Sequence, residues 1–194
     1  MGALDDITAL LLEDESFWCE KASVLYGHSF GALVSFKTGL SLQQMGRPPL
    51  GLLVSARRAP HLAATDPLVD LSDQQLLAKL DSFGGVPDAI RHNAEMMEFY
   101  LPIIKADLHL NDVTTIGPDE KIDLPLYLYS ARADGAATTQ ELESWKSVTT
   151  RNFSHRVFDG GHFFIQESEN TFIATLRPLL EMLRSPDDEE LIAF

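Results

Sequence analysis

Gly27-His28-Ser29-Phe30-Gly31 fits the pattern G-x-S-x-G. The apolar run Ala22–Gly27 leads in as a short strand and a helical pattern leads out from Phe30. Ser29 is therefore expected on a strand-to-helix turn so tight that the residues two before it and two after must lack bulk or collide. Such a turn holds the hydroxyl over the edge of a sheet at a helix N-terminus, where unpaired N–H groups favour a developing anion. The N–H of Phe30, next after the serine, is the expected oxyanion-hole donor. The plainer reading is a serine that caps the Phe30–Met45 helix.

A serine hydroxyl is inert without a base, and in this arrangement an acid and then a histidine follow it in the chain, each after a later strand. Of the six histidines, His162 sits in the expected place, after the last strand and past Gly160-Gly161. His155 lies at the wrong end of that strand, and His28, inside the turn, is expected to point away from the partners of Ser29. His61, His92 and His109 fall in or beside a helical insertion and read as surface or lid residues. For the acid, Asp134 follows the strand Leu124–Ser130; Asp159 is the rival, but directly before Gly160-Gly161-His162 it reads better as a turn former. Ser29, Asp134 and His162 are the expected catalytic triad. His162 would take the hydroxyl proton and Asp134 would hold and stabilise the imidazole.

The elements that must position these groups alternate. Leu4–Leu12 reads as a helix and Ala22–Gly27 as a strand. Phe30–Met45 is a helix stopped by Gly46 and Pro48-Pro49, and Leu50–Ala56 is a strand. Two helical patterns follow without a strand, Ser72–Leu80 with Ser72 as cap and Ala89–Lys105 interrupted by Pro102, with the loop "FGGVP" between them. Leu124–Ser130 is a strand, Thr138–Val148 a helix, His155–Phe158 a strand, and Asn170–Arg184 a helix that Pro178 should kink or shorten. This is the rhythm of an α/β domain with a parallel sheet covered on both faces. The block over about 59–115 breaks the rhythm and reads as a lid over the carboxyl edge of the sheet, within a single domain spanning 1–194.

Composition narrows the function classes. The 194 residues carry 29 acidic and 15 basic side chains, a net charge of −14, which disfavours nucleic acid and anionic membranes as partners. Part of the excess lies in the tail Ser185–Phe194, read as a solvated end. Cys19 is the single cysteine, so no intrachain disulfide forms, and it reads as a small buried hydrophobe. No apolar run reaches the ~18 residues of a membrane helix and no signal peptide is recognisable, so a soluble cytoplasmic protein is expected. No metal-ligand cluster or phosphate loop appears, and no metal or cofactor is expected.

With the triad in hand, the chain resembles the type II thioesterases. These are the stand-alone thioesterases of polyketide and nonribosomal peptide synthesis and the related medium-chain fatty acid synthase thioesterase (oleoyl-carrier-protein hydrolase). The matching stretches are "GHSFGALVSF", "LLVSARRAP", "FGGVPDAI", "LPIIKADL", "LPLYLYSARAD", "ELESWKSVT" and "RVFDGGHFFI". The resemblance implies an α/β-hydrolase fold with a helical lid. It also implies hydrolysis of acyl thioesters on the phosphopantetheine arm of an acyl carrier protein or carrier domain, through the same triad. Two departures stand out. Where relatives often read glycine-x-x-Asp-Pro, this chain has Ala131-Arg132-Ala133-Asp134-Gly135. Only 28 residues precede Ser29, too few for the first strands and the glycine-rich loop that the family places there. The N-terminal strands are therefore expected to be missing, leaving an apolar sheet edge and impaired activity.

Arg57 and Arg58, after the second strand, are expected either to meet the phosphate or acidic surface of a carrier or simply to pair with nearby carboxylates. Met96, Met97, Phe99 and Tyr100 are expected to line an acyl channel, or else to form the packed side of a helix. A monomer is expected. The competing functions are another ester or lipid hydrolase and a catalytically dead carrier-binding protein.

Overall fold

The structure, a computed structural model, describes residues 2–20, 22–84, 93–117 and 119–184. Four strands form one parallel sheet in the order β1-β2-β3-β4: β1 Val24–His28, β2 Gly51–Ser55, β3 Leu126–Ala131 and β4 Phe153–Phe158. The helices are α1 Ala3–Leu11, α2 Glu15–Glu20, α3 Phe30–Gln44, α4 Asp73–Ser82, α5 Ala94–Val113, α6 Thr139–Glu143, α7 Phe164–Glu167 and α8 Glu169–Arg184. Short 3-10 turns cover Leu68–Asp70 and Ser144–Val148.

The two-residue period of a strand sorts the core. Leu52, Val54, Leu126 and Leu128 face one side, where Phe36 of α3 and the fully buried Trp145 meet them. Leu53, Tyr127 and Tyr129 face the other, against Phe158, Phe164 and the α8 residues Phe172, Leu179 and Leu183. β2 and β3 are buried along their whole length. Among the described residues β1 and β4 are the edges, and Tyr26 on β1 is part-exposed.

Several predicted boundaries shift for identifiable reasons. Gly46 ends α3 as expected, with φ +73° and the Arg47 N–H reaching back to the Leu42 carbonyl. Ser72 caps α4 through a reciprocal box with Gln75. The predicted helix over Thr138–Val148 divides into α6 and the tighter turn Ser144–Val148. Pro102 does not interrupt α5, which continues eight residues past Lys105, and Pro178 lies inside α8. Both prolines are exposed, so water can serve the carbonyl each one strands. The predicted start of the second lid helix, most of the "FGGVP" loop and the acidic tail lie outside the described residues.

Candidate active site

β1 delivers Ser29 at its carboxyl end. The residue holds φ 54° and ψ −124°, a conformation that costs a non-glycine residue about 1–3 kcal/mol. Two bonds lock it: the Ser29 N–H donates to the Ser55 carbonyl at 2.8 Å, and the Ala32 N–H donates to the Ser29 carbonyl at 3.0 Å. Gly27 is required by contact, because a Cβ there would stand 2.1 Å from the Gly31 carbonyl oxygen. Gly31 is not required in the same way: a Cβ there meets nothing within 4 Å, which corrects the symmetric expectation. Phe30 opens α3, so its N–H falls outside the helix's own ladder of bonds.

β4 delivers His162 through a loop bent at Gly160, where φ is +120°. The Gly161 N–H donates to the Glu167 carboxylate at 2.9 Å, and buried Phe164 anchors the turn from behind. β3 delivers Asp134. Its carboxylate Oδ1 accepts from the Ala136 N–H at 2.9 Å, a local turn that orients the group although Gly135 stands in place of proline. The same oxygen lies 3.0 Å from His162 Nδ1, and His162 Nε2 lies 3.1 Å from Ser29 Oγ. A carboxylate only accepts, so Nδ1–H donates to Asp134 and the Nε2 lone pair is left to accept from the serine hydroxyl. His162 and Asp134 side chains are 7% and 5% exposed, which keeps the pair largely out of water. Three residues from three strand ends meet in one chain of hydrogen bonds.

The other candidates fall elsewhere. Asp159 pairs with Arg132 at the surface at 3.1 Å. His155 bonds Ser130 Oγ and Glu143, away from Ser29. His61 is half-buried and His109 exposed, while His92 lies outside the described residues. His28 does not point away from the site. Its ring centroid is 5.0 Å from that of His162: the strand period puts residue 28 on the same face of β1 as Tyr26, both reach Ser55 Oγ there, and the loop that carries His162 lies on that side.

A cavity of about 350 Å³ opens beside Ser29 and His162, walled by Arg57 and Arg58 on one side and by Ile104 and Leu108 of α5 on another. Lys79 and Phe83, at the end of α4, complete it, with Phe83 5.3 Å from the His162 ring. Met96, Met97, Phe99 and Tyr100 do not line it. Their turn of α5 is largely exposed, Phe99 at 68%, and lies about 6 to 12 Å along the helix from Ile104 at 1.5 Å per residue. The cavity-facing stretch is Ile104, Leu108 and Asn111, which share one face of the helix further along.

Arg57 and Arg58 wall this cavity but spend their donors on protein. Arg57 Nε donates to Asn111 Oδ1 at 2.7 Å and Nη2 to the Asn111 carbonyl at 3.1 Å. Arg58 Nη2 reaches the same carbonyl at 2.8 Å, and Nε bonds the Leu62 carbonyl. Simple pairing with carboxylates is therefore not what holds them: Asp112 Oδ2 accepts instead from the Leu68 and Val69 N–H groups. The two guanidiniums satisfy carbonyls at the end of α5 that a helix cannot satisfy itself. Burial and then the neighbouring Arg58 hold the Arg57 guanidinium below its ordinary pKa. Among the described residues no group of three His, Cys, Asp or Glu side chains is placed to hold a metal, and no helix is long and apolar enough to cross a membrane.

A family model described as "Thioesterase domain" matches residues 14–180. Gramicidin S biosynthesis protein GrsT of Aneurinibacillus migulanus is 33% identical over 162 residues, covering 82% of this chain and 63% of that protein. This chain spans about half to just under two thirds of the length of the sequence relatives it matches. Among solved structures, RedJ, a thioesterase from the prodiginine pathway of Streptomyces coelicolor, superposes with TM-score 0.77 at 32% identity over 89% of this chain and 65% of its own. YbtT, a type II thioesterase from the yersiniabactin pathway, gives 0.80 at 29%, over 89% and 72%.

Proposed function

Because the chain belongs to the thioesterase family, we propose that it hydrolyses acyl thioesters held on the phosphopantetheine arm of a carrier protein or carrier domain in polyketide or nonribosomal peptide synthesis. The observation that carries this reading is the run of hydrogen bonds from Asp134 through His162 to Ser29, at 3.0 and 3.1 Å, beside a cavity wide enough for an acyl group.

Ser29 Oγ attacks the thioester carbonyl while His162 Nε2 takes its proton. The carbonyl oxygen gathers the negative charge and the Phe30 N–H donates to it. Collapse breaks the C–S bond, His162 returns the proton to the leaving phosphopantetheine thiol, and an acyl ester remains on Ser29. Water then attacks that ester with His162 as base, releasing the free acid and restoring the serine. Asp134 stays ionised throughout, holding Nδ1–H and stabilising the imidazolium. No cofactor takes part. The reading also takes the chain to act as a cytoplasmic monomer.

The reading names one backbone donor for the oxyanion. Covalent labelling reports on the nucleophile itself and is the more direct test. A fluorophosphonate probe is expected to label the folded protein at Ser29 and to leave Ser29→Ala unlabelled, and an acyl-carrier substrate is expected to lose its acyl group only with the former. A folded, unlabelled wild type would overturn the proposal in favour of a protein that binds carriers without turnover.

A further inference from the structure

The middle residue of the nucleophile turn is a second histidine. His28 and Ser55 are paired neighbours at the carboxyl ends of β1 and β2, and His28 Nδ1 lies 2.9 Å from Ser55 Oγ. That hydroxyl is fully buried and also lies 2.9 Å from the Tyr26 hydroxyl. A three-member run, Tyr26–Ser55–His28, therefore fixes the His28 ring from the sheet side. On its other side the ring meets His162 at 5.0 Å, Phe163 at 5.5 Å and Phe164 at 6.1 Å between centroids. His162 in turn touches Phe163 at 5.0 Å and Phe83 at 5.3 Å. The imidazole that bonds Ser29 thus has hydrogen bonds at its two nitrogens and rings against it from the nucleophile turn, its own loop and α4.

His28 Nε2 is buried with no hydrogen-bond partner among the described residues. A buried polar atom left unpaired costs about 1–3 kcal/mol, so its presence calls for a reason other than stability. We propose that His28, held by Ser55, is a positioning residue whose ring fixes the orientation of the His162 imidazole toward Ser29. The inference rests on the reading of Ser29, His162 and Asp134 as the reacting set.

The charge state of His28 fits this role. Burial first and the proximity of His162 second push its pKa down to about 4, with Asp134 opposing weakly, so the ring is neutral where the enzyme works. A charged ring 5.0 Å away would oppose the positive charge that His162 acquires when it takes the Ser29 proton; a neutral aromatic ring does not. The groups facing His28 are Ser55 and Tyr26 from the sheet and His162, Phe163 and Phe164 from the loop after β4, with Asp134 behind His162.

Two substitutions test the proposal. His28→Asn keeps a group that can bond Ser55 but removes the ring; His28→Phe keeps a neutral ring and removes the unpaired nitrogen. Hydrolysis of an acyl-carrier thioester and the rate of fluorophosphonate labelling are measured alongside thermal unfolding. The expected result is a fall in kcat and labelling rate of about 10- to 100-fold for His28→Asn at unchanged KM, the scale set by a misplaced catalytic group, with most of the rate retained by His28→Phe. Wild-type kcat in folded His28→Asn, or an equal loss in both variants, overturns the positioning role. Failure of the wild type itself to label overturns the underlying triad reading instead, and the two failures are told apart by that control.

Discussion

Gly27 and Gly31 flank Ser29 symmetrically in sequence and asymmetrically in space, and this difference supports a paired prediction. A Cβ on residue 27 would lie 2.1 Å from the Gly31 oxygen, 2.4 Å from its carbon and 2.6 Å from the Ala32 nitrogen, all main-chain atoms. Carbon contacts are comfortable near 3.5 Å, so the end of β1 and the first turn of α3 would have to separate by roughly 1 Å or more. These two segments define the position of Ser29. Overpacking of this kind costs about 1–3 kcal/mol or more, a large share of a typical 5–15 kcal/mol fold stability. Displacing a reacting group by about 1 Å costs about 100-fold in rate. Gly27→Ala is therefore expected to lower the urea midpoint and slow probe labelling at Ser29 by about 100-fold. Gly31→Ala places its methyl in open space within the first turn of α3, where alanine exceeds glycine in helix propensity by up to about 1 kcal/mol. It is expected to leave labelling unchanged and to hold or raise the midpoint. Equal damage from both substitutions would refute the contact argument, as would normal labelling of Gly27→Ala.

Two further outcomes follow from the geometry. Asp134→Asn keeps a similar shape but removes the charge and lets Nδ1 hold its proton less firmly, so kcat is expected to fall by about 10³–10⁴ with the fold intact by circular dichroism. His28 is neutral in the fold down to about pH 4, whereas in the unfolded chain it takes up a proton near pH 6.5. The unfolded state then binds more protons between those values. Acidification through that window is expected to remove up to about 3 kcal/mol of stability, and His28→Phe should abolish this component in urea titrations taken at successive pH values.

The convergence of Ser29, Asp134 and His162 was legible because each is announced locally. A glycine-flanked serine follows an apolar strand, an aspartate follows the third strand, and a histidine follows two glycines after the fourth. The four parallel strands were legible for the same reason, since β2 and β3 are continuous apolar runs. What was not legible depends on distant partners. The apolar residues of α5 recur along its whole length, so their spacing could not tell which turn faces Ser29; that is decided by Arg57 and Arg58, more than fifty positions earlier, gripping Asn111. The facing of His28 follows the strand period, on the Tyr26 side of β1; what the sequence could not show is that the loop after β4 folds onto that side and brings His162 there. The role of Gly31 was misjudged because the spacing rule records a shared crowding without saying which of the two backbones is the obstacle.

The grip of Arg57 and Arg58 on Asn111 makes that end of α5 a fulcrum. Met96 lies fifteen residues up the helix, about 22 Å away at 1.5 Å per residue, while Leu108 lies about 4.5 Å away. A rotation of the helix by about 10° about the fulcrum would carry the Met96 end through about 4 Å and the Leu108 side chain through less than 1 Å. Any tilt of α5 about that grip is therefore geared unequally, moving its outer end about five times as far as the wall beside Ser29.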